Sequence, residues 1–510
     1  MRRVLTADRM RAADRAAGDH FGMPSPLLME NAGRELAEVA RAQGSPGGRF
    51  LVVCGPGNNG GDGLVAARLL HAWGRRVTLV LVGPREKLTP DSQRNLLALG
   101  PSGLEPQALG EVEEPRVGDV VVDAIFGTGL TRAPSGEFAQ AIEHVRRWRA
   151  AGAKVVAADV PSGLHSDTGV PFEPCVEADA TVTFGFLKQG QVLEPGATLC
   201  GEVRCVDIGI PAEAVEAQAG AEVFLVEEAD ARGAIAPRRS DTHKGTYGHV
   251  LVVAGSLGKS GAAALSALSA LRAGAGLVTV ATRAQVVESV LGHAPELMGW
   301  PVEDRGPLGQ ADLESLLAAA DQKDALVVGP GIPRGEETTA LLGELLERVD
   351  VPVVLDADAL NAVSTDLGVL RRAKGPVVLT PHPGEMSRLS GLPTKELQKE
   401  RVKVARDFAR THGVTLVLKG ARTLIAHADG TVYVNPTGNP GMATGGTGDV
   451  LSGVLGALLA QGLKLPEAAW TAVYAHGLAG DLAAERRGRL GLIASDVVKG
   501  LCSVWTRWER

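Results

Sequence analysis

Short unbroken runs of valine, leucine and isoleucine recur along this chain between longer amphipathic stretches, and they restrict its fold more than any other feature. In the first half they are FLVVCGPG (50–57), RVTLVLVG (76–83), DVVVDAIFG (119–127), KVVAADVPSG (154–163), ATVTFGF (180–186) and EVRCVDIGI (202–210). A strand with one face in water alternates apolar and polar residues, whereas a run that is apolar throughout is buried on both faces. Helices supply that cover, so the pattern predicts βαβ units around a parallel sheet. The first half therefore reads as a Rossmann-like three-layer α/β sandwich. Ahead of it, PLLMENAGRELAEVARA (26–42) sets Leu28, Ala32, Leu36 and Val39 on one stripe and predicts an amphipathic helix.

Between residues 211 and 245 alanine, charge and turn residues replace the strand signal, which places a domain boundary near residue 220 and gives domains of 1–220 and 221–510. The runs then resume as HVLVVAG (249–255), LVTVAT (277–282), ALVVGPG (325–331), PVVLDADAL (352–360), PVVLTPHPGE (376–385) and VTLVLKG (414–420). TLIAHADGTVYVN (423–435) predicts a hairpin with a two-residue turn at Asp429-Gly430. This is a second α/β sandwich with no fixed-period repeat of the first. A net charge of −7 leaves no basic face for a nucleic acid backbone. No apolar run reaches membrane-spanning length, and the opening MRRVLTADRMRAADRAAGDH lacks the apolar core of an export signal. The five cysteines form no C-x-x-C pair and read as reduced thiols. These features read as a cytoplasmic protein; small-molecule substrates and a homo-oligomer are further expectations, the oligomeric state not being given by the sequence.

CGPGNNGGDGLVAARLL (54–70) leaves a strand, crosses five glycines and enters a helix. Glycines let a ligand approach the backbone, and the free N–H groups of a helix start attract negative charge, so a phosphate fits there. Carboxyl ends of parallel strands converge on one crevice, which lets Asn59, Asp62, Asp123, Asp159 and Ser162 face a common ligand. Residue by residue the alternatives stay open: a tight turn for the glycines, a helix cap for Asp123, a turn hydroxyl for Ser162. The strings PGNNGGDG, DAIFGTGL and DVPSGL in this order, with MENAG (29–33) and FGFLKQG (184–190), resemble the NAD(P)H-hydrate epimerase family. The resemblance implies contacts to the hydrated dinucleotide from Asn58, Asn59, Gly60, Gly61 and Asp62, from Gly127, Thr128, Gly129, Leu130, Thr131, Arg132 and Ala133, and from Asp159. It also implies a potassium ion held by Asn59, Asp123 and Ser162, an oxygen-only set that suits a hard monovalent cation. For proton transfer, both Asp159 and Lys188 stand open.

In the second half, ATGGTGDVLSGVLGALLA (443–460) sets Asp449 at the mouth of a glycine-fronted apolar helix. The N–H groups of such a loop point at a phosphate, and a carboxylate beside it can take the proton of an attacking hydroxyl during phosphoryl transfer. The string resembles the anion hole of ribokinase-like kinases, which implies a ribokinase-like three-layer sandwich. HKGTYGHVLVVAGS, GPG, DADAL, TPHPGE, KGART and GGTGD together resemble the NAD(P)H-hydrate dehydratase domain over most of residues 225 to 505. By that resemblance Ala262, Gly331, His382 and Asp449 contact the hydrated cofactor. Lys419, Gly420, Ala421, Arg422, Thr423 and Gly448 hold the AMP part of ADP, whose phosphates magnesium neutralises. The expectation is a bifunctional repair enzyme: an isomerase interconverting the R and S hydrates of NADH and NADPH, with Asp159 catalytic, fused to a lyase dehydrating the S form at the expense of ADP, with Asp449 catalytic. A vitamin kinase fused to a nucleotide-binding domain, and a ligand sensor or scaffold, are the competing readings.

Overall fold

The computed structural model describes residues 1–216 and 222–509. Contacts gather the chain into two compact units, Arg2–Val223 and Phe224–Arg510; the boundary expected near residue 220 lies outside the described residues.

The first unit is built on six parallel strands, in spatial order Arg76–Leu81, Arg49–Cys54, Val120–Ala124, Lys154–Ala158, Ala180–Phe184 and Glu202–Val206. Alternate residues of one strand feed two cores. Phe50 and Val52 pack with Leu28 and Leu36 of helix Ser25–Gln43 and Leu64 of helix Asn58–Ala72, while Leu51 and Val53 pack with Ile142, Val145 and Trp148 of helix Glu137–Ala150. Cover on both faces is the physical reason for the unbroken apolar runs. The chain runs from Arg49–Cys54 outward to Arg76–Leu81, then returns to the other side of its starting strand with Val120–Ala124. The order of travel thus reverses between two adjacent strands, and a crevice opens beyond their carboxyl ends.

The second unit repeats this logic with a different order: Met298–Val302, Leu277–Arg283, His249–Val253, Ala325–Val328, Val353–Leu355, Val377–Leu379 and Thr415–Leu418, all parallel, then Leu424–Ala426 and Val432–Val434 antiparallel. Here the reversal falls between His249–Val253 and Ala325–Val328. Helix Thr447–Ala460 is buried at every residue from Val450 to Ala460. Two glycines allow this: a Cβ on Gly453 would stand 2.0 Å from the carbonyl oxygen of Ser266, and one on Gly456 2.4 Å from Val327 Cγ2. The helix thereby lies directly on both helix Ser260–Arg272 and the sheet.

Two details depart from expectation. The hairpin closes with a three-residue loop rather than a two-residue turn: Gly430 N–H donates to the His427 carbonyl at 2.9 Å, His427 N–H to the Thr431 carbonyl at 3.0 Å, and Gly430 alone takes a positive φ, +93°. That is a type I turn followed by a glycine bulge, since a two-residue I′ turn needs Asp429 left-handed too. Strand Met298–Val302 carries Pro301 and forms the sheet edge, where a residue without an N–H loses no ladder bond.

Candidate active sites

In the first unit the reversal point opens into a cavity of about 610 Å3. The loop after Arg49–Cys54 and the loop after Val120–Ala124 meet at its base, where a Cβ on Gly55 would stand 2.1 Å from the carbonyl oxygen of Ile125. Asn58, Asn59, Asp62, Gly127, Thr128, Gly129, Leu130 and Asp159 line the cavity. Gly60 and Gly61 lie behind that surface: a Cβ on Gly60 would fall 1.8 Å from the Gly55 carbonyl oxygen, so these glycines let the helix start sit on its own strand exit. Thr131, Arg132 and Ala133 run on as exposed loop. Helix Asn58–Ala72 has no side-chain cap, which leaves its first-turn N–H groups facing the crevice.

Asp123 is fully buried below this loop. Its Oδ2 accepts from Ser162 N–H at 2.8 Å and its Oδ1 from the Ser162 hydroxyl at 2.6 Å and from Ile125 N–H at 3.3 Å. Burial pushes its pKa up to about 6, with the Ser162 bonds opposing. Among the described residues no lysine or arginine pairs with it. The amide Nδ2 of Asn59 is buried without a partner, and Asn59 Oδ1 lies 3.1 Å from where a Cβ on Gly127 would be. A third group forms at the cavity wall. Asp159, held at φ +61°, pairs with Lys188 at 2.5 Å, and Lys188 also donates to the Thr183 hydroxyl at 2.9 Å and the Phe184 carbonyl at 2.8 Å. Asp62 titrates well above the carboxylate range because it is buried, with Asp159 and Asp14 adding negative potential and Lys188 opposing.

In the second unit, the reversal point is closed by Gly255 N–H donating to the Pro330 carbonyl at 2.8 Å and the Ser256 hydroxyl to the Gly331 carbonyl at 2.8 Å. Gly331, at φ +70°, leaves Ala262 so close that an added Cβ would meet its methyl at 3.2 Å. Two anticipated residues thus share one surface at the start of helix Ser260–Arg272. A second cluster surrounds Lys419, whose Nζ lies 2.7 Å from Asp356 Oδ1 and 3.9 Å from Glu385 Oε2. Burial alone would pull the lysine pKa down; the two carboxylates more than offset this and raise it. Gly448 abuts it, an added Cβ falling 3.1 Å from Nζ. The KGART and TPHPGE loops join where Lys419 N–H donates to the Pro381 carbonyl at 2.9 Å, and Gly420, Ala421 and Thr423 turn outward from there, Arg422 at φ +56°.

Asp449 stands in the first turn of helix Thr447–Ala460, behind the uncapped Gly446 at φ +91°. Among the described residues no capping bond holds its side chain. Burial pushes its pKa up to about 7, Asp356 adding to the shift and Lys419 opposing it. His382 has a different station: its Nδ1 accepts from Gly384 N–H at 3.0 Å while Glu385 returns a bond to His382 N–H at 2.8 Å, a reciprocal cap of helix Pro383–Ser390. Its ring is half exposed beside the Lys419 cluster. Asp356 and Asp358 belong to the DADAL string, which marked the domain without giving either a role, and Asp14 carried no signal in the sequence beyond its charge. Asp356 Oδ2 is buried without a partner, and Asp358 bonds Lys259 at 3.2 Å and Arg334 at 2.5 Å. A separate cavity of about 360 Å3, lined by Arg371, Gly375 and Thr411 among others, sits at the amino ends of the strands, away from all of these groups.

Residues 250–502 match the family described as NAD(P)H-hydrate dehydratase, and residues 25–190 match the YjeF-related protein N-terminus. The chain is 44% identical over 511 residues to the bifunctional NAD(P)H-hydrate repair enzyme Nnr of Moorella thermoacetica, covering 97% of this chain and 95% of that protein. Against the protein of the same name from Escherichia coli the identity is 35% over 500 residues, covering 98% and 93%. A crystal structure of the ADP/ATP-dependent NAD(P)H-hydrate dehydratase of Bacillus subtilis, co-crystallised with ATP and Mg2+, is 35% identical, covers 56% of this chain and 99% of its own, and superposes with a TM-score of 0.49.

Proposed function

The chain belongs to the family of bifunctional NAD(P)H-hydrate repair enzymes, and on that footing we infer that residues 1–220 epimerise the hydrates while residues 221–510 dehydrate the S form with ADP, giving NAD(P)H, AMP and phosphate. The observation that carries this is the pairing, in one chain, of a glycine-fronted crevice backed by the Asp159–Lys188 pair with a second unit in which Asp449 stands in the first turn of an uncapped, glycine-fronted helix whose Gly448 abuts Lys419.

In the dehydratase unit Asp449 takes the proton of the substrate hydroxyl as its oxygen attacks the β-phosphorus of ADP. AMP departs, leaving a phosphate ester; phosphate then leaves the ring carbon, far more readily than hydroxide does, and the neighbouring carbon gives up a proton to solvent as the ring double bond forms, which is how a kinase-like unit performs a dehydration. Lys419, Gly448 and the loop through Thr423 hold the nucleotide, and Ala262, Gly331 and His382 the hydrated ring. The orphaned Asp356 oxygen fits a site for magnesium entering with the nucleotide, where the ion would neutralise phosphate charge.

In the epimerase unit Asn58 to Asp62, Gly127 to Ala133 and Asp159 take the hydrated dinucleotide. Asn59, Asp123 and Ser162 fit a potassium ion: a buried carboxylate and hydroxyl stand together with no cationic side chain to balance the charge, a situation that a bound cation relieves. Asp123→Ala is expected to weaken potassium binding and slow R-to-S conversion while S-form dehydration stays at the wild-type rate; potassium titration and chromatography of the epimers check both, and unaltered potassium affinity would remove Asp123 from the ligand set.

The function itself is tested with mixed R and S hydrates, with and without ADP and magnesium, following dihydronicotinamide absorbance. Complete recovery of both epimers with ADP, no recovery without it, and release of free phosphate are expected. A stable phosphorylated product would instead mark a small-molecule kinase.

A further inference from the structure

One wall of the epimerase cavity comes from outside the glycine motifs. Helix Ala7–Phe21 presents Met10, Arg11 and Asp14 to it, residues spaced to share one helix face. The cavity's ion pair leaves a chemical gap that this wall fills. Lys188 spends its three N–H groups on Asp159, the Thr183 hydroxyl and the Phe184 carbonyl, so it has none left for a ligand. Asp159, held against that ammonium, is suited to accept a proton and not to give one. Epimerisation needs both. In these hydrates the hydroxyl-bearing carbon is bonded to the ring nitrogen, so the hydroxyl departs when the nitrogen pair pushes it out and an acid protonates it.

We propose that Asp14 is a further catalytic residue of the epimerase site, the acid that protonates the departing hydroxyl. This rests on the epimerase reading of the first unit. The C–O bond breaks with its electron pair on oxygen, which takes the Asp14 proton and leaves as water; the nitrogen pair forms the C=N bond of an iminium ion. Water then adds to the opposite face, the C=N pair returns to nitrogen, and the added water gives its surplus proton to Asp159. Asp159 releases that proton to solvent, and Asp14 regains one from solvent.

The neighbours of Asp14 favour this division. Its side chain is exposed to the cavity, where it can be reprotonated between turnovers, whereas Asp62, on helix Asn58–Ala72, is nearly enclosed. Desolvation by the surrounding walls pushes the Asp14 pKa up to about 6; Lys188 and Arg15 oppose the shift and Asp159 adds to it. Asp14 thus holds its proton further up the pH scale than an ordinary carboxyl does.

The test uses the full-length chain, separated R and S hydrates and water enriched in oxygen-18, with the protein-free rate subtracted. Asp14→Asn should keep the wild-type melting temperature and ADP-dependent S dehydration, yet lose roughly 10²-fold in kcat for R-to-S conversion with KM changed little. Incorporation of oxygen-18 into the product hydroxyl should fall in parallel, and Asp14→Glu should restore part of both. The wild-type rate should decline above about pH 6, a limb absent from the Asn variant. Wild-type epimerisation by Asp14→Asn, a defect confined to KM, or loss on Asp62→Asn in its place overturns the role of Asp14. A wild-type chain that interconverts no hydrate and exchanges no label overturns the epimerase reading, and the role with it.

Discussion

Asp449→Asn is expected to bind ADP as the wild type does and to convert the S hydrate roughly 10²-fold more slowly or worse, the scale of a lost general base. The substitution keeps shape and removes proton acceptance, and the N–H groups of Gly446 to Gly448 that face the phosphates are untouched. Absorbance of the regenerated dihydronicotinamide measures the loss; calorimetry measures the binding. Because burial pushes Asp449 up to about 7, wild-type dehydration should rise with pH through that value as the base ionises, and the limb should vanish in the variant. The same shift fixes the sign of a stability effect. A carboxyl whose folded pKa is raised holds a proton that the unfolded chain has lost, so its contribution falls as pH climbs from the carboxylate range through about 7. At pH 8 the Asn variant should therefore melt no lower than the wild type. Wild-type dehydration by this variant would reduce Asp449 to a helix-start residue without a chemical role.

Lys419→Met should show the opposite balance, with stability and nucleotide affinity falling together. Asp356 is 1% exposed and depends on the 2.7 Å ammonium contact; removing one partner of such a pair costs about 3 kcal/mol, the lower end of the usual range since Lys419 is itself partly open. Denaturant unfolding of the second unit should shift by that amount, and ADP binding should be lost because the cation against Gly448 is gone. Adding Asp356→Asn in the same chain should recover most of the stability and none of the ADP binding, which separates the charge pair from the ligand contact. Epimerisation, carried by residues of the other unit, should persist in both variants.

The strands were legible because each one is covered on both faces, so hydrophobicity alone marks them: the FLVVC, DVVVDA and VVAA runs all became central strands. Met298–Val302 escaped for the converse reason. As an edge strand with Pro301 in it, it needs neither an unbroken apolar run nor a full ladder. The hairpin turn was misjudged because Asp-Gly serves both a two-residue turn and a type I turn with a glycine bulge, and strand register decides between them. Strand-exit residues such as Asp123, Ser162 and Gly331 could be placed at one sheet edge in advance, since parallel sheets send their carboxyl ends there. Their partners could not. Lys419 with Asp356, separated by 63 positions, and Lys188 with Asp159, separated by 29, are pairs that only the crossing of loops creates, and no local pattern announces them. The cap formed by His382 is a case where a residue singled out for a ligand also holds its own backbone turn.

Helix Thr447–Ala460, enclosed on all sides from Val450 onward, gives the dehydratase an immovable wall. Close-packed interiors do not yield by tenths of an ångström without loss, and Gly453 and Gly456 leave this helix no slack against Ser266 and Val327. Whatever accommodation the site makes to its ligands must then come from the outward loop from Gly420 to Thr423. The chemistry is done against a fixed anvil, and tolerance for differences between one hydrated nucleotide and another belongs to the softer side.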